Sequence, residues 1–291
     1  SPGRSGDPPR PDMKSLIQWL DARVGLSDWR RRRDEALAKP VPDHLNYTFT
    51  LGTAAMVLFA VQIAAFTGLV FYFQQQNPGV NWSELVPRAQ ESVQSNALFL
   101  VPVQVLYYGL LVGLLYVLMR ARGVLRFWAA LRVTRLRANG ILPALVGGFL
   151  LALLVSLASH LVPPPEPLPF DKLFTSRAAA LLVVGASLLV APLVEELIFR
   201  GYIYALLERA WGTGAAVLTS GVLFGSIHFF QLWPGYFQMA LLCLVGVSFS
   251  LARARTGSTT SSMLMHLGYN ATISLGYLFS PEFRQLASSL G

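Results

Sequence analysis

Long apolar runs separated by short charged stretches make up most of the chain, and they recur at the length of a bilayer crossing. A helix needs about 20 residues to span roughly 30 Å of hydrocarbon. Runs near that length lie at 50–73, 97–119, 140–162, 178–194, 214–230, 236–252 and 261–279. Backbone in hydrocarbon must satisfy its hydrogen bonds inside its own segment, so each run predicts a helix. The expected fold is all-α: a polytopic transmembrane bundle of about seven spans, the later ones shorter and more polar. Ahead of the first run the period changes. In 13–26, Leu16, Ile17, Leu20 and Val24 fall at helical spacing with Trp19 at the edge, which predicts an N-terminal amphipathic helix lying on the membrane surface. Residues 1–12 are polar and rich in Pro and Gly, with no apolar core of a signal peptide, and read as a disordered lead.

Composition agrees with a bilayer solvent. The chain is 54% hydrophobic and 13% charged, where a soluble globular protein carries roughly a quarter charged residues. The net charge of +8 would suit a nucleic-acid binder, but no recognition motif accompanies it. The cations instead gather between the apolar runs. Arg30, Arg31, Arg32, Arg33 and Lys39 precede the first, and Arg120, Arg122, Arg126, Arg132, Arg135 and Arg137 follow the second. Arg253 and Arg255 follow the sixth, whereas 74–96 and 163–169 are poor in cations. The positive-inside rule then places the N-terminus in the cytoplasm. The single cysteine, Cys243, sits in an apolar run and offers neither an internal disulfide nor a zinc cluster.

A few polar residues stand out inside the apolar text. Glu195 and Glu196 directly follow the fourth run, and Arg200 comes one helical turn after Glu196, close enough to pair with it. Glu195 points about 100° away and is left for another partner. The fifth run holds Phe224 and His228, and the seventh holds His266 and Asn270, one turn apart on one face. Burying these groups separately would be costly, and facing them into one cavity is the economical arrangement.

The three clusters read EExxxR (Glu195-Glu196-Leu-Ile-Phe-Arg200), FxxxH (Phe224-Gly-Ser-Ile-His228) and HxxxN (His266-Leu-Gly-Tyr-Asn270). In that order and separation they resemble the CAAX-protease and bacteriocin-processing (CPBP) family of intramembrane proteases, over about half the chain. The resemblance implies an endopeptidase that hydrolyses a peptide bond of a membrane-bound peptide or protein substrate. Glu195 would be the general base acting on water, and His228 would orient that water or share its proton. His266 and Asn270 would donate to the oxyanion, with Glu196, Arg200 and Phe224 supporting them. No cofactor is expected. Zinc held by Glu195, His228 and His266 is a lesser alternative, since the HExxH spacing is absent. The resemblance also implies an integral protein of a bacterial inner membrane, in contact with membrane lipids.

A second resemblance covers about a fifth of the chain. The text SLIQWLDARVGL, then PVPDHLNYTFTLGTAAMVLFAVQ, then TGLVFYF, in 15–73, with Glu91–Gln94 in the following loop, is similar to the start of a cytochrome b. Paired haem-ligating histidines are missing, because 97–119 has none and His44 precedes the first run. This resemblance implies a docking surface rather than haem binding, and makes a non-catalytic accessory subunit of a cytochrome bc-type complex the alternative function. The expected organisation is a lead at 1–12, a cytochrome b-like segment at 13–96, a span with a basic cytoplasmic loop at 97–139 and a protease-like domain at 140–291. A transporter is disfavoured, because no inverted repeat is visible.

Overall fold

The computed structural model describes residues 70–86 and 96–288, apart from 122, 137, 166 and 167, together with positions 52, 67, 68 and 88. The expected disordered lead, the surface helix at 13–26, nearly all of the first apolar run and most of the cytochrome b-like text therefore lie outside the described residues.

The bundle consists of α1 (Ala97–Ala121), α2 (Ala138–Leu161), α3 (Arg177–Leu189), α4 (Ala191–Glu196), α5 (Tyr204–Ser226), α6 (Tyr236–Thr256) and α7 (Thr259–Leu278). A π-helical stretch, Leu197–Ile203, joins α4 to α5. No strand occurs among the described residues. Local chemistry sets several of these bounds. The Ser176 hydroxyl accepts from the Ala179 amide at 3.1 Å and caps α3. Pro192 stands in the first turn of α4, where a missing amide hydrogen costs nothing. Gly257, at φ 68°, ends α6 in the left-handed region that glycine enters freely.

Four helical stretches among the described residues are long and apolar enough to cross a membrane: Ala97–Ala121, Asn139–Leu161, Arg177–Ser226 and Tyr236–Thr256. Of the seven apolar runs, the one at 50–73 lies almost wholly outside the described residues, and the other six map onto these four stretches and α7. The runs at 178–194 and 214–230 belong to one 50-residue stretch. As a straight helix it would be about 75 Å long, but Gly212, at φ 80° and ψ 169°, breaks it. The chain beyond the break returns along the π-helical stretch, so the Ser220 hydroxyl donates to the Phe199 carbonyl at 3.1 Å. The run at 261–279 does form a helix, α7, but it is too polar to count by length and composition. Its Thr259, Ser261, Ser262, His266 and Ser274 are all buried against other helices.

Small residues decide how closely the helices approach. Between α2 and α7, a Cβ on Gly148 would strike the Met265 carbonyl and the Tyr269 amide, and one on Gly268 would strike the Leu145 backbone. Between α5 and α6, Gly221 and Gly246 abut in the same way. Backbone-to-backbone approach of this kind is how helices associate where lipid removes the hydrophobic drive. The outer faces remain apolar: Leu150, Leu154, Leu157, Leu218, Val222 and Leu244 are exposed, as suits side chains solvated by acyl chains. The main core gathers Leu115, Met119, Phe127, Leu131, Leu197, Phe199, Phe224 and Phe249. The basic loop after α1 is tied to the start of α7, with the Thr259 hydroxyl donating to the Leu131 carbonyl at 2.6 Å and the Thr134 hydroxyl to Ser258 Oγ at 2.7 Å.

Candidate active site

The polar cluster is built around the two adjacent glutamates at the end of α4. Both are buried, Glu195 at 6% exposure and Glu196 at 0%. The chain passes into the π-helical stretch immediately after them, a distortion found often at functional sites.

Glu196 belongs to a buried ion-pair set. Its Oε1 accepts from Arg200 NH1 at 2.8 Å, the one-turn pairing expected from the spacing. Arg200 is itself fully buried. Its NH2 donates to the Gly246 carbonyl at 2.6 Å and its Nε to Ser250 Oγ at 3.3 Å, both on α6. The guanidinium lies 4.6 Å from the Phe224 ring centroid and 5.4 Å from that of Phe249. A buried cation is tolerated when a carboxylate, hydrogen-bond acceptors and ring faces surround it in this way.

His266 joins the same set. Its Nδ1 is 3.1 Å from Glu196 Oε1. An ionised carboxylate only accepts, so Nδ1 carries the proton and the ring orientation is fixed from that side. The ring stacks on Phe249 at 4.7 Å and meets the edge of Phe224 at 5.7 Å. Phe224 thus touches Arg200, His228 and His266 at once, with His228 at 5.2 Å. The aromatic residue of the second motif is the wedge that holds the three motifs together.

Glu195 is treated differently. Its Oε1 accepts a 2.7 Å hydrogen bond from the Tyr108 hydroxyl, which reaches over from α1. Adjacent carboxylates therefore have unlike partners: a cation and an imidazole for Glu196, a neutral phenol for Glu195.

His228 lies half-buried just past the end of α5, with Nδ1 2.9 Å from the Phe224 carbonyl. A carbonyl also only accepts, so Nδ1 donates here too. Asn270 uses Nδ2 to donate to the Ser187 carbonyl of α3 at 2.7 Å, and one amide hydrogen remains for another acceptor. The geometry thus places Glu196, Arg200, His266 and Phe224 in direct contact. It adds His228 through Phe224, Asn270 one turn along α7 from His266, and Glu195 by adjacency in the chain. Among the described residues no three His, Cys, Asp or Glu side chains converge to hold a metal ion.

Sequence reasoning missed Tyr108, Phe249, Ser250 and the Gly246 and Ser187 carbonyls. A tyrosine inside an apolar run carries no pattern that points to a distant glutamate, and backbone acceptors leave no trace in residue types.

Residues 177–272, from the start of α3 into α7, match the family model described as type II CAAX prenyl endopeptidase Rce1-like. All three motifs fall inside that stretch. An Escherichia coli protein named "Uncharacterized 24.3 kDa protein" is 32% identical over 192 residues, which is 63% of this chain and 81% of that protein. No solved structure matches the chain. These comparisons give no support to the cytochrome b resemblance at 13–96, nor to docking on a cytochrome bc-type complex.

Proposed function

We infer, from the match of residues 177–272 to the Rce1-like family model, that this chain is an intramembrane endopeptidase that hydrolyses a peptide bond of a membrane-associated substrate with glutamate-activated water. The observation that carries this reading is the unequal treatment of the two glutamates. Glu196 is paired with Arg200 and held by His266, whereas Glu195 is met by a neutral hydroxyl and has no cation of its own.

In this reading Glu195 takes a proton from water as the water oxygen bonds to the scissile carbonyl carbon. The π pair of the carbonyl moves onto its oxygen. Collapse of the tetrahedral species breaks the C–N bond, and the proton on Glu195 passes to the departing nitrogen. His228, with Nδ1 held on a backbone carbonyl, presents Nε2 to the attacking water. His266 and the second amide hydrogen of Asn270 stabilise the oxyanion. With Nδ1 donating to Glu196, His266 donates from Nε2 only as the imidazolium. An oxyanion donor of this kind is worth about 10²–10³ in rate.

The apolar flanks of α2, α5 and α6 let a lipid-attached peptide approach from the bilayer. A prenylated CAAX peptide is the substrate class the family description suggests. The test is to reconstitute the protein in nanodiscs with a farnesylated CAAX peptide or an unmodified transmembrane peptide and read product masses. Release of the C-terminal tripeptide is expected. No cleavage of either substrate by correctly folded protein would overturn the proposal.

A further inference from the structure

Helix α1 lies wholly outside 177–272, yet it supplies the side chain that touches Glu195. The part of α1 facing the bundle is apolar apart from Tyr108 and Gln104, whose side chain hydrogen-bonds that tyrosine one turn away. Near its start Ala97 and Val101 pack on Ala179 and Val183 of α3, and near its end Leu115 and Met119 enter the main core. Between these two patches stands Tyr108, its hydroxyl 2.7 Å from Glu195 Oε1.

The chemistry of that contact is selective. A cation at this position would cancel the charge that makes Glu195 a base, as Arg200 does for Glu196. A phenol supplies a short hydrogen bond and orients the carboxylate without adding charge. It also occupies one of the two oxygens, which directs the other toward whatever shares the cavity.

We propose that Tyr108 is a positioning residue for the hydrolysis described above: its hydroxyl clamps Oε1 of Glu195 so that Oε2 receives the proton of the attacking water. The assignment rests on Glu195 being the general base. It makes α1, outside the matched family stretch, part of the working site.

The test compares Tyr108→Phe, Leu111→Ala and Glu195→Gln in the same nanodiscs, with kcat, KM and melting temperature measured for each. Tyr108→Phe removes only the hydroxyl. Misorientation of a catalytic group costs up to about 10²-fold, so kcat is expected to fall about 10- to 100-fold, with KM and melting within about twofold and a degree or two of the parent. Leu111→Ala loosens the packing of α1 against the core and is expected to lower melting with little change in kcat. If Tyr108→Phe keeps kcat while Glu195→Gln is inactive, the general-base reading stands and the role of Tyr108 is overturned. If Tyr108→Phe loses kcat, KM and melting together, the hydroxyl is structural and the proposal also falls. If Glu195→Gln remains active, the general-base reading itself fails and takes the clamp with it.

Discussion

Helices α1 and α7 both bring a side chain to the glutamate pair, but they are held in different ways. α7 is pressed onto α2 through backbone contact at Gly148 and Gly268, so His266 and Asn270 sit on a rigid support. α1 has no such glycine contact. Gly109 and Gly113 have open space where a Cβ would stand, and Leu98, Leu106 and Val117 are exposed along the helix. The groups that must hold a fixed charge arrangement stand on helices locked at backbone distance. The group that touches the acting carboxylate stands on a helix held by side-chain packing alone, at both ends and through Leu111 and Val112 in its middle. Rigid support and adjustable approach are thereby divided between two parts of one bundle.

The sharpest way to break this contrast is to remove the charge that locks the rigid part. Arg200→Met leaves Glu196 buried beside His266 without its cation, and breaking a buried pair costs about 3–5 kcal/mol. The expected result is poor recovery of folded protein and early unfolding in a detergent denaturation series. Next comes the helix contact itself. Gly148→Ala places a methyl against the Met265 carbonyl, and overpacking of this kind costs about 1–3 kcal/mol. Thermal melting should fall, and activity with it, because α7 carries both His266 and Asn270. Smaller again is Ser250→Ala, which deletes the long hydrogen bond from Arg200 Nε and the hydroxyl's own bond to the Gly246 carbonyl, and should cost about 1 kcal/mol, read from the same melting curves. Smallest is Leu154→Ala on the lipid-facing side of α2, which should change stability by no more than about 0.5 kcal/mol. A Leu154→Ala loss as large as that of Gly148→Ala would show that the outer face of α2 packs on something other than lipid.

The motif residues were legible because they violate their surroundings. A carboxylate pair, an arginine, two histidines and an asparagine in apolar text have few inexpensive explanations, and Glu196 does pair with Arg200 one turn away. The helical character of 97–121 and 236–256 was legible from length alone. What hydropathy misplaced was the turn between the runs at 178–194 and 214–230. The charges at 195–200 look like the end of a span, but they are buried by α6 and α7, and the turn comes later, at Gly212. The last helix misleads in the opposite direction. Its serines, threonines and His266 lower its hydropathy, although they face protein rather than water or lipid. Tyr108 was not legible at all, since Tyr107 and Tyr116 in the same run look equivalent until the fold brings one of the three to Glu195.

The most direct test of the unequal roles of the two glutamates is a pair of nearly isosteric variants, Glu195→Gln and Glu196→Gln, measured for melting temperature and for cleavage of a farnesylated CAAX peptide. The account predicts that Glu195→Gln melts with the parent and loses essentially all cleavage, whereas Glu196→Gln melts well below it because Arg200 is left buried without its counter-charge. Cleavage retained in Glu195→Gln, or melting equal to the parent in Glu196→Gln, would contradict it.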